Sequence, residues 1–383
     1  MSTPHAPLDP VALARDLVRR PSVTPADAGA MDVLQRALEG LGFSCRRMRF
    51  GEIENLYARR GTAAPNLCFA GHTDVVPPGD LEAWTQAPFR AEVVEGVLIG
   101  RGAVDMKSAI AAWAAAVTRV GEVAGSLSFL ITGDEEGQAI DGTKRVVEAL
   151  IAEGERVDHC LVGEPTSVAV LGDVIKVGRR GSVNARITVR GRQGHVAYPE
   201  RAKNPIPPLV RLLDRLQARR LDEGYPSFPP SNLEVVTIDV GNTATNVIPA
   251  EARAGLNIRF NPTHTGDGLM AWLAAEAAAV EADSGCRVEL TASCSGDAFL
   301  TEPGPFVGLV LDAVEAVTGV RPDPNTAGGT SDARYIRSLC PVVELGLVGQ
   351  TMHQVDERAP VAEIERLTEV YAEVIRRYFA GVG

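Results

Sequence analysis

The spacing of hydrophobic positions along this chain changes character twice. Up to residue 180, short unbroken apolar runs at 66–70 (NLCFA), 127–132 (LSFLIT) and 159–162 (HCLV) are separated by stretches with helical apolar spacing at 105–120 and 142–152. Unbroken runs of this length fit strands buried on both faces, and their alternation with helices predicts an α/β layer architecture with a largely parallel or mixed sheet. The pattern resumes with a helix at 304–319, a strand at 341–345 (PVVEL) and a closing helix at 361–379. That last helix carries Val361, Ile364, Leu367, Val370, Tyr371, Val374, Ile375 and Tyr378.

Between these halves the period falls to two. Residues 182–190 alternate through Val183, Ala185, Ile187 and Val189, and 208–217 return to helical spacing through Leu209, Leu212, Leu213 and Leu216. Alternation recurs at 234–240 and 254–260, an Ala-rich helix is predicted at 267–282, and 286–292 alternates through Cys286, Val288, Leu290 and Ala292. That order, β-α-β-β-α-β, is the ferredoxin-like unit. We therefore expect one domain built from 1–180 and 297–383, split by an inserted α+β domain at 181–296. Strands apolar on one side leave an open face or edge, which points to burial against a partner subunit.

The chain has 383 residues, of which 45% are hydrophobic and 23% charged, enough for two domains without disulfide staples. Its six cysteines form no CxxC pair, and Cys68, Cys160 and Cys340 fall in or beside apolar runs, so reduced, buried thiols are expected. The start has no basic segment followed by an apolar one, and no apolar run reaches the about 18 residues of a membrane span. A cytoplasmic protein is expected. The formal charge of −11 argues against a nucleic-acid partner, although a small anionic substrate answers to local charge instead.

Five short stretches carry metal-type ligands: His72 and Asp74 in GHTDVVP, Asp105 in GRGAVDMK, Glu135 and Glu136 in TGDEEG, Glu164 in GEPT, and His353 in MHQVDE. Each lies where a predicted strand gives way to a loop, or in a loop between elements. In an open α/β sheet, loops at the carboxyl ends of the strands converge on one crevice. His72 and Asp74 are two apart, so they project to one side if strand geometry persists, and a carboxylate there can hold the second ring nitrogen of a metal-binding histidine. Asp105 alone reads first as a helix N-cap, yet a short carboxylate at the sheet rim can also bridge two metals. Three consecutive acids directly after a buried strand are costly unless cations are present. Adjacent residues in an extended turn point apart, so Glu136 can ligate while Glu135 stays free as a general base. Nitrogen and oxygen ligands without thiolates suit catalytic zinc, cobalt or manganese.

These motifs resemble those of the succinyl-diaminopimelate desuccinylases of bacterial lysine and cell-wall biosynthesis, within the dizinc aminoacylase and carboxypeptidase superfamily. The resemblance covers essentially the whole chain. HTDVVP, DMK, DEEG and GEPT are shared across the superfamily. GRRGS from Gly178, GRQGHVAYP at 191–199, NVIP at 246–249 and GGTSDAR at 328–334 favour the desuccinylase branch.

The resemblance implies a homodimeric enzyme that hydrolyses the amide of N-succinyl-L,L-2,6-diaminopimelate, with two zinc ions per subunit and cobalt able to replace one. It implies that His72, Asp105 and Glu164 hold one ion, and Asp105, Glu136 and His353 the other. Glu135 becomes the base and acid, Asp74 the orienter of His72, and His195 a group that polarises the scissile carbonyl in the other subunit. Arg179 and Arg259 suit the substrate carboxylates, because guanidinium binds carboxylate through paired hydrogen bonds. Tyr198, Asn246, Thr330 and Ser331 are further candidate contacts. Gly349, in GLVGQTMH, stands where many members carry Asn, and its backbone is expected to be able to donate there in the side chain's place. A sister deacylase, such as an acetylornithine deacetylase or a carboxypeptidase, is the alternative reading.

Overall fold

The computed structural model describes residues 7–381. They fall into two compact units, Met1–Val177 with Thr301–Asn325 and Ser331–Gly383, and Gly178–Leu300 with Thr326–Thr330. The second unit starts earlier and ends later than the alternating pattern at 181–296 suggests. Gly178–Arg179 pairs antiparallel with Phe299–Leu300, joining the chain's entry and exit in a short ribbon whose residues show no useful periodicity.

In the first unit the described residues form an eight-stranded mixed sheet. Its centre is three parallel neighbours, Ser126–Thr132, Asn66–His72 and His159–Val162, extended in parallel by Val342–Glu344. An antiparallel pair, Ser44–Phe50 and Ile53–Arg60, flanks one side, and Val174–Lys176 with Asp323–Asn325 the other. Every residue of Ser126–Thr132 is buried, as expected of a strand covered on both faces.

The helix Lys107–Val120 explains part of that cover. Its residues from Lys107 to Val117 are all buried, and six of them are alanines, so it is apolar on every side and small enough to pack against strand and helices alike. Trp113 stacks on Phe69 with ring centroids 5.1 Å apart and meets Tyr371 of the closing helix Val361–Ala380 edge-on at 5.2 Å. The Tyr371 hydroxyl donates to Leu345 O at 2.6 Å, which satisfies the polar atom that its burial would otherwise strand. The helix starts at Lys107, with Met106 in the cap position and no side-chain cap, so Asp105 lies in the turn before it and is not its N-cap.

The second unit has a four-stranded antiparallel sheet in the order Asn232–Asp239, Glu251–Phe260, Gly181–Arg190, Arg287–Gly296. Helices Ile206–Ala218 and Gly266–Ser284 cover one face of it. Val183, Ala185, Ile187 and Val189 point into the cluster formed with Leu209, Leu212, Leu213, Leu216, Leu269 and Leu273, while Asn184, Arg186 and Arg190 on the alternate positions are exposed. This is the ferredoxin-like order, all pairs antiparallel, that a β-α-β-β-α-β chain produces. All six cysteines are free, and Cys68, Cys160, Cys286 and Cys340 are buried. No helix among the described residues is long and apolar enough to cross a membrane.

Trp113 is fully buried against two aromatic rings, so Trp113→Ala is expected to cost about 3–5 kcal/mol. Urea unfolding followed by circular dichroism measures it.

Candidate metal centre

The three central parallel strands deliver their loops to the same edge of the sheet. His72 is the last residue of one, Glu164 follows the second by two positions, and Asp134, Glu135 and Glu136 follow the third. Thr73 N–H donates to Thr132 O at 3.0 Å, which carries strand pairing one step past His72 and sets that residue against the acidic loop.

His72 is buried at 1% exposure. Its Nδ1 donates to the main-chain oxygen of Asp74 at 2.9 Å, which fixes the tautomer and leaves Nε2 facing outward to Asp105 Oδ1 at 3.1 Å and Glu164 Oε1 at 3.8 Å. Asp105 presents its other oxygen to the second histidine: Oδ2 is 3.3 Å from His353 Nε2, which also meets Glu136 Oε1 at 2.9 Å. The two carboxylate oxygens of Asp105 therefore belong to two different sets. In each, His72–Asp105–Glu164 and Asp105–Glu136–His353, one ligand atom per residue lies within 4.8 Å of the others. Glu135 is not held apart from Glu136 as an extended turn would predict. Both carboxylates also fall within 4.8 Å of each other and of a His72 nitrogen.

The charge balance favours cations. Burial opposes a charge on His72, but Asp105, Glu164 and Asp74 outweigh it and hold the imidazole well above its ordinary value. Hydrogen bonds to Asp105 and Glu136 push His353 up to about 10. Burial would raise Asp105, yet the hydrogen bonds from His353 and His72 prevail and hold it well below the usual carboxylate range. Glu135 is pushed well above its ordinary value by burial and then by the charge of Glu164. Four carboxylates around two imidazoles, with no thiolate among them, fit two hard or borderline divalent ions.

Asp74 takes a different part from the one expected. Its carboxylate is 3.7 Å from His72 Nδ1, and the main-chain oxygen orients the ring instead. The carboxylate accepts the N–H groups of Glu135 at 3.2 Å and Glu136 at 3.0 Å, together with the Thr24 hydroxyl at 2.7 Å. It clamps the acidic loop because two main-chain donors there have no strand partner. Asp134 is likewise turned inward, where Oδ2 accepts from Ile140 N at 2.9 Å and Asp141 N at 3.1 Å.

Ser331 was expected to contact substrate, but it is 1% exposed and donates to Glu344 Oε1 at 2.8 Å, so its hydroxyl is committed inside the first unit. The Gly349 N–H donates to Ser167 O at 3.0 Å and does not serve as a replacement donor, because the chain there continues an edge pairing. A Cβ at Gly349 would sit 3.1 Å from Pro165 O, a crowding that glycine avoids.

The remaining candidates lie in the second unit. His195 and Asn246 are exposed and adjacent on a small hairpin: His195 pairs with Val247, and Val196 N–H donates to Asn246 O at 3.0 Å. Tyr198 is 50% exposed, with its ring 5.8 Å from that of His195. Arg179 is buried at 8% and donates to Gly329 O at 3.1 Å, so part of its guanidinium braces the glycine loop before Thr330. Arg259 is half-buried, and burial and then the charge of Arg180 weaken its hold on its proton, so two cations crowd where an anion would relieve them.

A buried carboxylate shared by two sets of histidine and glutamate, at the carboxyl ends of parallel strands and beside a further glutamate, defines a metal-dependent hydrolase. The comparisons agree. Residues 68–377 match the family "Peptidase family M20/M25/M40". A succinyl-diaminopimelate desuccinylase from Phenylobacterium zucineum is 68% identical over 378 residues, covering 98% of this chain and 100% of that protein. Two solved structures share the fold at low identity. One is an M20 family metallo-carboxypeptidase from Sulfolobus solfataricus, with a TM-score of 0.79 at 16% identity over 97% of this chain and 99% of that one. The other is the Bacillus subtilis YXEP protein, described as a dinuclear metal binding peptidase, with a TM-score of 0.73 at 17% identity over 97% of both. The chain belongs to the M20/M25/M40 peptidase family.

Sequence reasoning passed over Thr24, Arg101 and Glu357. The last two sit inside stretches already singled out, GRGAVDMK and MHQVDE, but a charged residue in a loop gives no sign of whether it is buried.

Because Asp105 serves both sets, Asp105→Ala is expected to weaken both divalent ions in calorimetric titration of metal-free protein. His353→Ala is expected to weaken only one of them.

Proposed function

We propose that this protein is a dizinc amide hydrolase that cleaves N-succinyl-L,L-2,6-diaminopimelate to succinate and L,L-2,6-diaminopimelate, a step in making lysine and peptidoglycan precursors. The observation that carries the hydrolytic reading is Asp105, with one oxygen toward His72 and the other toward His353, beside Glu135. The substrate is supported by the name of the relative that is 68% identical along its full length.

His72, Asp105 and Glu164 would hold one ion, and Asp105, Glu136 and His353 the other. Bound there, two zinc ions supply Lewis-acid charge that polarises the amide carbonyl and makes water a nucleophile near neutral pH. Glu135 takes the proton of the attacking water and passes it to the leaving amine nitrogen, so one carboxylate acts first as base and then as acid. Asp74 keeps Glu135 in reach by holding its main-chain N–H. The exposed imidazole of His195 stabilises the charge that develops on the carbonyl oxygen of a neighbouring subunit's substrate. Arg179 and Arg259 take substrate carboxylates, with Tyr198, Asn246 and Thr330 as polar contacts. Cobalt can take the place of one zinc.

We place the enzyme in the cytoplasm as a homodimer. Val236 and Ile238 on the edge strand Asn232–Asp239 are 63% and 62% exposed, and Val210 on the adjacent helix is 55% exposed. An apolar sheet edge is a liability unless another chain covers it, and a second copy offers the same edge.

Glu135→Gln is expected to retain about two zinc ions per chain while kcat falls by about 10²–10⁴-fold. Metal analysis beside steady-state kinetics checks this, and near-normal turnover would remove Glu135 from its role. Mixing His195→Ala with Glu135→Gln subunits is expected to restore part of the activity, since a mixed dimer assembles one intact site. No rescue after confirmed exchange would sink the shared site. Hydrolysis of N-succinyl-L,L-diaminopimelate beside N-acetylornithine and a dipeptide tests the substrate, and preference for either of the latter would overturn it.

A further inference from the structure

We infer that the buried ion pair Arg101–Glu357 is a positioning device: it sets the separation of Asp105 and His353 and thereby controls the ion they share with Glu136. The inference rests on the ligand assignment proposed above. Arg101 is 2% exposed and Glu357 0%. Arg101 Nη1 donates to Glu357 Oε2 at 2.7 Å. The other oxygen of Glu357 accepts the main-chain N–H of Val104 at 2.9 Å and that of Asp105 itself at 3.1 Å.

The guanidinium reaches the opposite ligand. It donates to the main-chain oxygens of His353 at 3.3 Å and Gln354 at 3.2 Å, and more weakly to Pro77 O at 3.4 Å in the loop that follows His72. Its carbon lies over the Trp84 ring, 5.4 Å from the centroid. Gly100 N–H closes the link by donating to Glu357 O at 2.9 Å. Three loops that carry ligands or adjoin them thus meet on one pair of charges.

A buried ion pair is a poor way to gain stability, because desolvation offsets most of the attraction and apolar side chains would fill the space as well. Apolar side chains cannot, however, bind the N–H of Asp105 and the carbonyl of His353 together. The His353 turn needs such a hold. His353 and Asp356 have φ of 62° and 56°, in the left-handed region where non-glycine residues are strained and persist only when neighbours over-determine them. The His353 side chain is 46% exposed, so packing does not fix it. The turn is held instead at one end by Arg101 on the His353 main-chain oxygen and at the other by Thr85, whose N–H and hydroxyl both donate to the side-chain Oδ1 of Asp356, at 2.9 Å and 3.0 Å. His72 has independent support from its strand and from Asp74 O, so the ion set of His72, Asp105 and Glu164 depends less on the pair.

The test is a Co²⁺ titration of metal-free protein by calorimetry and visible absorption, with thermal unfolding measured alongside. Wild type is compared with Arg101→Lys, Glu357→Gln and the double variant Arg101→Met with Glu357→Met, which leaves no unpaired buried charge. All three variants are expected to bind one Co²⁺ as wild type does and the second about 10–100-fold more weakly, with turnover recovering at excess Co²⁺. In the double variant the thermal midpoint of the metal-free protein should exceed those of the single variants, while the second affinity stays low. Wild-type binding of both ions by the double variant overturns the inference, as does equal weakening of both ions in step with the thermal midpoint. If wild type itself takes up fewer than two ions, the ligand assignment fails, and the inference with it.

Discussion

The organisation of the first unit follows from one constraint: several carboxylates share the buried rim of a sheet, and each must find positive charge or N–H donors. An unpaired carboxylate in such a place costs several kcal/mol. The chain meets the constraint by sorting its acids. Asp74, Asp134 and Glu357 are met by main-chain N–H groups, those of Glu135 and Glu136, of Ile140 and Asp141, and of Val104 and Asp105 respectively. Asp105, Glu136 and Glu164 face the two histidines. The first group shapes the loops, and the second supplies the candidate metal ligands.

This sorting gives Asp105 its place. It stands in a turn outside the helix that follows, its N–H is taken by Glu357, and its two oxygens are divided between His72 and His353. The helix behind it, packed on all sides by alanine and by the Phe69–Trp113–Tyr371 stack, gives the turn a rigid base. Side chains that hold ions within tenths of an ångström need supports of this kind, because affinity depends on the groups behind the ligands as well as on the ligands. The candidate residues of the second unit are placed differently. His195, Tyr198 and Asn246 are exposed on a short hairpin and an adjoining turn, in contrast to the buried carboxylates of the first unit.

Much of this was legible in the residues. The apolar runs placed the strands His159–Val162 and Ser126–Thr132 to within a residue, and the alternating stretch marked out the ferredoxin-like sheet. Glu135, Glu136 and Glu164 could be named as candidate ligands because they follow those strands directly, whereas Asp105 and His353 lie in loops away from them. The partners of individual polar groups were not legible. Residue type and motif do not show that the Asp74 carboxylate meets the Glu135 and Glu136 amides, that the Ser331 hydroxyl meets Glu344, that the Gly349 N–H meets Ser167, or that Arg179 meets the Gly329 carbonyl.

By itself, then, the sequence determined the elements, the layer order and the chemistry of the candidate ligands, because periodicity records which side of each element is buried and motifs record residue types at strand ends and in loops. Only the tertiary structure decided which acid meets which donor. Glu357 bonds the N–H of a residue 252 positions away, and Arg101 the carbonyl of His353 across the same interval. Contacts at that separation depend on how three loops converge in space, and no local pattern of polar and apolar positions carries that information.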